Sequence, residues 1–136
     1  MNQQELDQII ENHKTWLESN GNQGKQANLD REMLKHLNLQ NTNLKNANLK
    51  NTWLLKCSFQ NANLQNANMQ NADLWCSSLR NANFDESNLK NANLNNTYLG
   101  AARFCNSNLQ NAIFEKSFGL KSANFTNAII NHTTID

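Results

Sequence analysis

A five-residue period runs through most of this chain and leaves few folds open to it. Blocks such as NANLK, NANLQ, NANMQ, NADLW and NANFD recur from Ala27 onward. Taking the large apolar residue of each block as its centre, the centres run without a gap from Leu29 through Phe59, Met69 and Leu94 to Phe114, eighteen in succession. After one slip they resume at Leu120, Phe125, Ile130 and Ile135. Two residues before the centre stands Ala, Ser, Thr or Cys in 19 of the 22 repeats, the exceptions being Glu32, Leu37 and Phe118. A period of five fits neither the 3.6 of a helix nor the plain alternation of a long strand. Within each repeat the small residue and the centre lie two apart, so a short extended segment points both to one side. They share a crowded interior, and the remaining residues turn a corner.

Asparagine supplies the corners. There are 29 Asn in 136 residues, no Pro and four Gly. Such a bias also marks disordered prion-like tracts, and here the regular spacing decides against one. Eleven Asn directly precede a centre and twelve lie two after it. Asn tolerates turn conformations and bonds nearby backbone. Columns such as Asn41, Asn61, Asn81 and Asn51, Asn71, Asn91, Asn111 predict side-chain ladders. Without Pro, every backbone N–H stays available.

This A-(N/D)-L-x-x pattern resembles the pentapeptide repeat family over roughly Ala27 to Asp136. The resemblance implies an all-β solenoid, a right-handed quadrilateral β-helix with four repeats per coil. Equivalent residues then recur every twenty positions, so that Leu34, Leu54, Leu74, Leu94 and Phe114 form one inner column. The 22 repeats then make about five and a half coils, about 4.8 Å apart. The chain divides into 1–26, an amphipathic capping helix and linker, and 27–136, the β-helix.

In the first segment Leu6, Ile9, Ile10, His13, Trp16 and Leu17 fall at helical spacing, with Gly21 and Gly24 as stop signals. The helix is expected to cover the first coil, whose apolar centres and unpaired edges need hiding; a docking helix for a partner is the alternative. The lead-in HKTWLESNGNQGKQANL resembles that of a subset of the family of undefined function. No cap is encoded after Phe125, Ile129, Ile130 and Ile135, and the resemblance implies a homodimer through this C-terminal coil. At EKSFGL the spacing widens to six, which predicts a corner bulge with Phe118 in a small-residue position.

The formal net charge of +1 names no partner. Cys57, Cys76 and Cys105 lack the paired spacings of a zinc or redox site and are expected to be free thiols, Cys57 inward and Cys76 outward near Lys56. The histidines are scattered, and no nucleophile with a base, paired carboxylates or phosphate loop is present, so neither an enzyme nor a cofactor is expected. No apolar run of membrane-spanning length and no leader is seen, which makes the cytoplasm the expected location. The abundance of Asn and Lys points to a bacterium with an AT-rich genome.

Outward positions are polar with few exceptions. Trp53, Leu55 and Trp75 cluster by the twenty-residue rule, with Met33 and Ile113 in the column of Trp53, and form a candidate partner-binding patch. The alternative is that these side chains are merely structural. The expected function is a non-enzymatic interaction or scaffold module with a protein partner. The resemblance also implies an alternative, a DNA-mimicking modulator of DNA gyrase, which needs acid-dominated faces. From Ala27 onward the chain has ten Lys and Arg against seven Asp and Glu, and the position before the centre, commonly Asp in the family, is Asp only at Asp73. Nucleic-acid binding is disfavoured because Lys45, Lys50, Lys90 and Arg80 fall on different faces.

Overall fold

The computed structural model describes residues 1–135. Helix α1 spans Gln3–Glu18, and the rest of the chain winds so that each outward residue pairs in parallel with the one twenty positions later, from Asn28 with Asn48 to Tyr98 with Phe118. Four five-residue units therefore complete each circuit.

One repeat, 62–66, shows how the backbone is satisfied. Ala62 N–H closes a turn on Phe59 O at 2.9 Å. Asn63 N–H donates to Thr42 O in the coil below, and Leu64 and Asn66 N–H donate to Asn83 O and Asp85 O in the coil above. Gln65 N–H, which points to neither coil, is taken by the side-chain Oδ1 of Asn63 at 2.9 Å. All five donors are paired, as buried or half-buried backbone requires. The residue two after each centre from Leu29 to Phe114 is left-handed, and Asn holds φ between 58° and 65° at every such position it occupies from Asn41 to Asn127. Asn tolerates that region, whereas most side chains are strained in it.

The corner ladder forms as the spacing predicts along one column. Asn111 donates to Asn91, Asn91 to Asn71, Asn71 to Asn51, and Asn51 to the carboxylate of Asp30, at 2.9–3.1 Å. In the other column Asn61 donates to Asn41. The Asn before each centre mostly turns back onto its own backbone instead, as at Asn63.

Repeats without Asn or Asp in that position lack the side-chain acceptor. With Met33 and Trp53 in the position before the centre, the chain stays extended one residue further, giving strands β1 (Met33–Lys35) and β2 (Trp53–Leu55), paired in parallel with Leu34 opposite Leu54. Elsewhere the coil below repairs the loss: Asp85 Oδ1 accepts from Cys105 N–H and Asn95 Oδ1 from Glu115 N–H, at 2.9 and 2.7 Å.

The interior is a stack of the centres, all fully buried from Leu29 to Phe114. Phe84, Phe104 and Phe125 stack at 5.0–5.1 Å, and Phe114 meets Phe104 and Phe125 edge-on.

The irregular repeat differs from the expectation. Ser117, not Phe118, holds the small inward position and donates to Phe114 O at 2.7 Å. Phe118 lies in the outward column and pairs with Tyr98, so Gly119 stands where a centre belongs. The extra residue is absorbed by a single 3-10 turn, Leu120–Ser122, after which the pairing interval becomes twenty-one, as in Arg103 with Asn124. The physical reason is the approach of two glycines. Gly119 has φ +84°, and a Cβ on it would lie 2.7 Å from Gly100 N.

Helix α1 covers the first coil. Asn2 caps it in a capping box with Glu5. Leu6 and His13 are fully buried, Ile9 and Ile10 pack partly against the core, and Trp16 stacks on His13 at 5.4 Å. Trp16 and Leu17 remain partly exposed beside a cleft of about 470 Å³ that reaches Asn43 and Lys45.

Candidate interaction surface

Strand geometry sets the outward patch. Side chains alternate in β1 and β2, so burying Leu34 and Leu54 sends Met33 and Trp53 outward in adjacent coils. Leu55 follows at the corner and lies beneath Trp75, since Lys56 N–H donates to Trp75 O at 2.9 Å. Trp53 is 44% and Trp75 38% exposed, with Leu55 half-buried between them. The Lys56 ammonium lies 5.4 Å from the centre of the Trp75 ring. Thus the structure brings Trp53, Leu55, Trp75 and Met33 together. Ile113 shares their column but is separated from them by Asp73 and Asn93.

Tyr98 and Phe118, one side further round the rod, were not foreseen as a pair. They are exposed and stack at 5.0 Å, with the Arg80 guanidinium 5.4 Å from the Tyr98 ring. The outward place of Tyr98 follows from the repeat, whereas that of Phe118 follows only once the six-residue spacing is known to fall after Gly119.

The cap residues meet the end of the rod through polar chemistry as well as apolar contact. His13 Nδ1 accepts from Ala27 N–H and Nε2 faces Lys45 O, both at 2.9 Å, which makes the ring neutral with its proton on Nε2. Burial pushes its pKa below the usual histidine value. At the other end Phe125 is partly buried on Phe104, and Ile130 and Ile135 are 53% and 46% exposed. Ile129 pairs with Asn108 in an outward column and belongs to the side of the rod.

Cys57 is buried, its thiol near Leu34 O and pushed up to about 11 by burial, while Cys76 is half-buried at a left-handed corner. Asp85 joins Arg103 in a half-buried ion pair at 2.7 Å. Among the described residues no group of three His, Cys, Asp or Glu could hold a metal, and no helix is long and apolar enough to cross a membrane.

A family model described as pentapeptide repeats matches residues 42–75, 57–96 and 87–118, eight copies in all. The chain belongs to the pentapeptide repeat family. No curated protein sequence matches it. Among solved structures, the pentapeptide repeat protein alr5209 from Nostoc Pcc 7120 shares 22% identity over 81% of this chain and 84% of its own, with a TM-score of 0.63. QnrB1, a plasmid-mediated fluoroquinolone resistance protein, shares 19% over 80% of this chain and 64% of its own, with a TM-score of 0.53. A pentapeptide repeat protein from the Arabidopsis thaliana thylakoid lumen shares 22% over 67% of this chain and 60% of its own, with a TM-score of 0.47. The likeness to alr5209 carries pentapeptide repeat architecture.

Proposed function

We propose that this pentapeptide repeat protein is a non-enzymatic interaction module whose working surface includes Trp53, Leu55 and Trp75. The observation that carries this reading is that two neighbouring tryptophans stay more than a third exposed on a rod whose outward positions are mostly polar, outside the coil end that α1 covers. Exposed aromatic anchors of this kind dominate the energy of protein interfaces. We further read the coil as right-handed and quadrilateral, with about five and a half coils. The exposed apolar side chains of Ile130 and Ile135 support a homodimer through the C-terminal coil, and the free thiols support a reducing compartment such as the cytoplasm. The DNA-mimic alternative is less well supported, because from Ala27 onward only seven Asp and Glu stand against ten Lys and Arg, whereas a DNA mimic needs acid-dominated faces.

The test is affinity capture from bacterial lysate with the wild type and a Trp53→Ala, Trp75→Ala variant whose folding is verified by circular dichroism. A partner retained by the first and lost by the folded second supports the reading. Equal capture by both removes the patch from the function.

A further inference from the structure

The apolar surface continues across its corner onto a side of the rod with an unusual charge. Residues 35–41, 55–61, 75–81, 95–101 and 115–122 stack as this side and its two corners. They contain five Lys or Arg (Lys35, Lys56, Arg80, Lys116, Lys121) and a single acid, Glu115. The side is therefore net +4 in a chain of net +1, which leaves −3 for everything else. Setting Lys116 aside still leaves four cations to one acid. Along the same side Trp75, Tyr98 and Phe118 are exposed. Neither half of this pattern is visible in the overall charge.

We propose that this side docks an acidic protein segment bearing aliphatic or aromatic side chains. The proposal rests on the interaction-surface reading above and names the chemistry of the partner. Charge complementarity selects the acid, since carboxylates gain from Lys35, Lys56 and Arg80 arranged around the rings, and the Arg80 fork suits a carboxylate in two-point contact. The ring contacts select protein over single-stranded nucleic acid. Base stacking needs open ring faces, yet Tyr98 is held between Arg80 in the coil below and Phe118 in the coil above, and one face of Trp75 is occupied by Lys56. These contacts take three of the four ring faces of Tyr98 and Trp75, while the half-buried Leu55 and the exposed Met33 add aliphatic surface that suits apolar side chains. From Met33 in the first coil to Phe118 in the fifth is four coil rises, about 19 Å. About six residues of extended chain or about thirteen of helix cover that length.

The probe is a fluorescein-labelled random copolymer of glutamate and tyrosine (4:1), titrated with the full-length protein and followed by anisotropy at rising salt. Binding is expected to weaken with salt and to fall at least tenfold in a Lys56→Glu, Arg80→Glu variant. A Lys50→Glu, Lys90→Glu variant, with the same charge change on another corner, is expected to stay within twofold of the wild type. Absence of binding, or an equal loss in both variants, overturns the proposal. Tighter binding of labelled oligothymidylate than of the copolymer also overturns it and assigns the surface to nucleic acid. If Trp53→Ala, Trp75→Ala abolishes binding while Lys56→Glu, Arg80→Glu retains it, the acidic partner is wrong and the interaction surface stands. If neither variant weakens binding, both readings fall.

Discussion

The two ends of the rod meet the same physical demand in opposite ways. A coil at the end of a solenoid exposes apolar centres and a row of unpaired backbone groups. At the lower end α1 lays Leu6 over the centres, and its polar side chains stand in for the backbone of a coil that is not there. The Gln3 side-chain amide donates to Asn38 O and accepts from Asn38 N–H, at 2.8 and 2.7 Å, the two bonds a lower strand would make. His13 does the same for Lys45 O, and the Gln26 amide reaches Asn46 O at 2.6 Å. At the upper end Ile130 and Ile135 stay about half exposed. The difference teaches that a β-helix edge can be closed by individual amide and imidazole groups, provided a helix holds them in register.

Leu6→Ala gives the largest expected effect that would break this comparison. Leu6 is fully buried, so the loss of its methyl groups and the cavity left behind should cost about 2–5 kcal/mol in urea unfolding. A cost below about 1 kcal/mol would mean that α1 is an ornament and not a cap. His13→Ala comes next: it leaves Ala27 N–H and Lys45 O without their partner and should cost about 1–3 kcal/mol. His13 also gives a pH signature whose sign follows from its lowered pKa. The unfolded chain binds the proton more readily, so the stabilisation is complete above the unfolded value of about 6.5 and is lost as pH falls from there through the folded value. Urea midpoints at pH 7.5 and 5 should differ for the wild type by more than for His13→Ala. Third, Asn2→Ala removes the capping box and should cost about 1 kcal/mol. Smallest is Ile130→Ser at the open end, within about 0.5 kcal/mol for the monomer. A larger loss that depends on protein concentration would instead show that this end is covered by a second copy.

The repeat and its columns were legible because every fifth residue repeats the same demand for bulk and every twentieth returns to the same side. The candidate patch was legible for that reason: Trp53, Leu55 and Trp75 break a polar rule at positions whose neighbours are set by counting. The Phe118 position was not. Counting by apolar size made Leu120 a centre, whereas the backbone contact of Gly119 with Gly100 decides the register, and Gly100 sits in a corner column where nothing in the period singles it out. The polar work of Gln3 and His13 was hidden similarly. Helical spacing selects residues by hydrophobicity, and the Gln3 amide acts only through the strand edge it happens to reach. The basic side of the rod was also invisible to a net charge near zero, since Lys56 and Arg80 come together only after winding.

The twenty-residue circuit also makes this molecule obey a kind of clock arithmetic. Inserting twenty residues would lengthen it by one coil and leave every side aligned. Inserting five would turn everything above the insertion by a quarter revolution and carry Tyr98 and Phe118 away from the corner of Trp75. The single added residue after Gly119 does neither, because its 3-10 turn returns the chain to the same hour. Variation in length among such rods is thereby divided into changes that extend a surface, changes that scramble it, and changes it does not register.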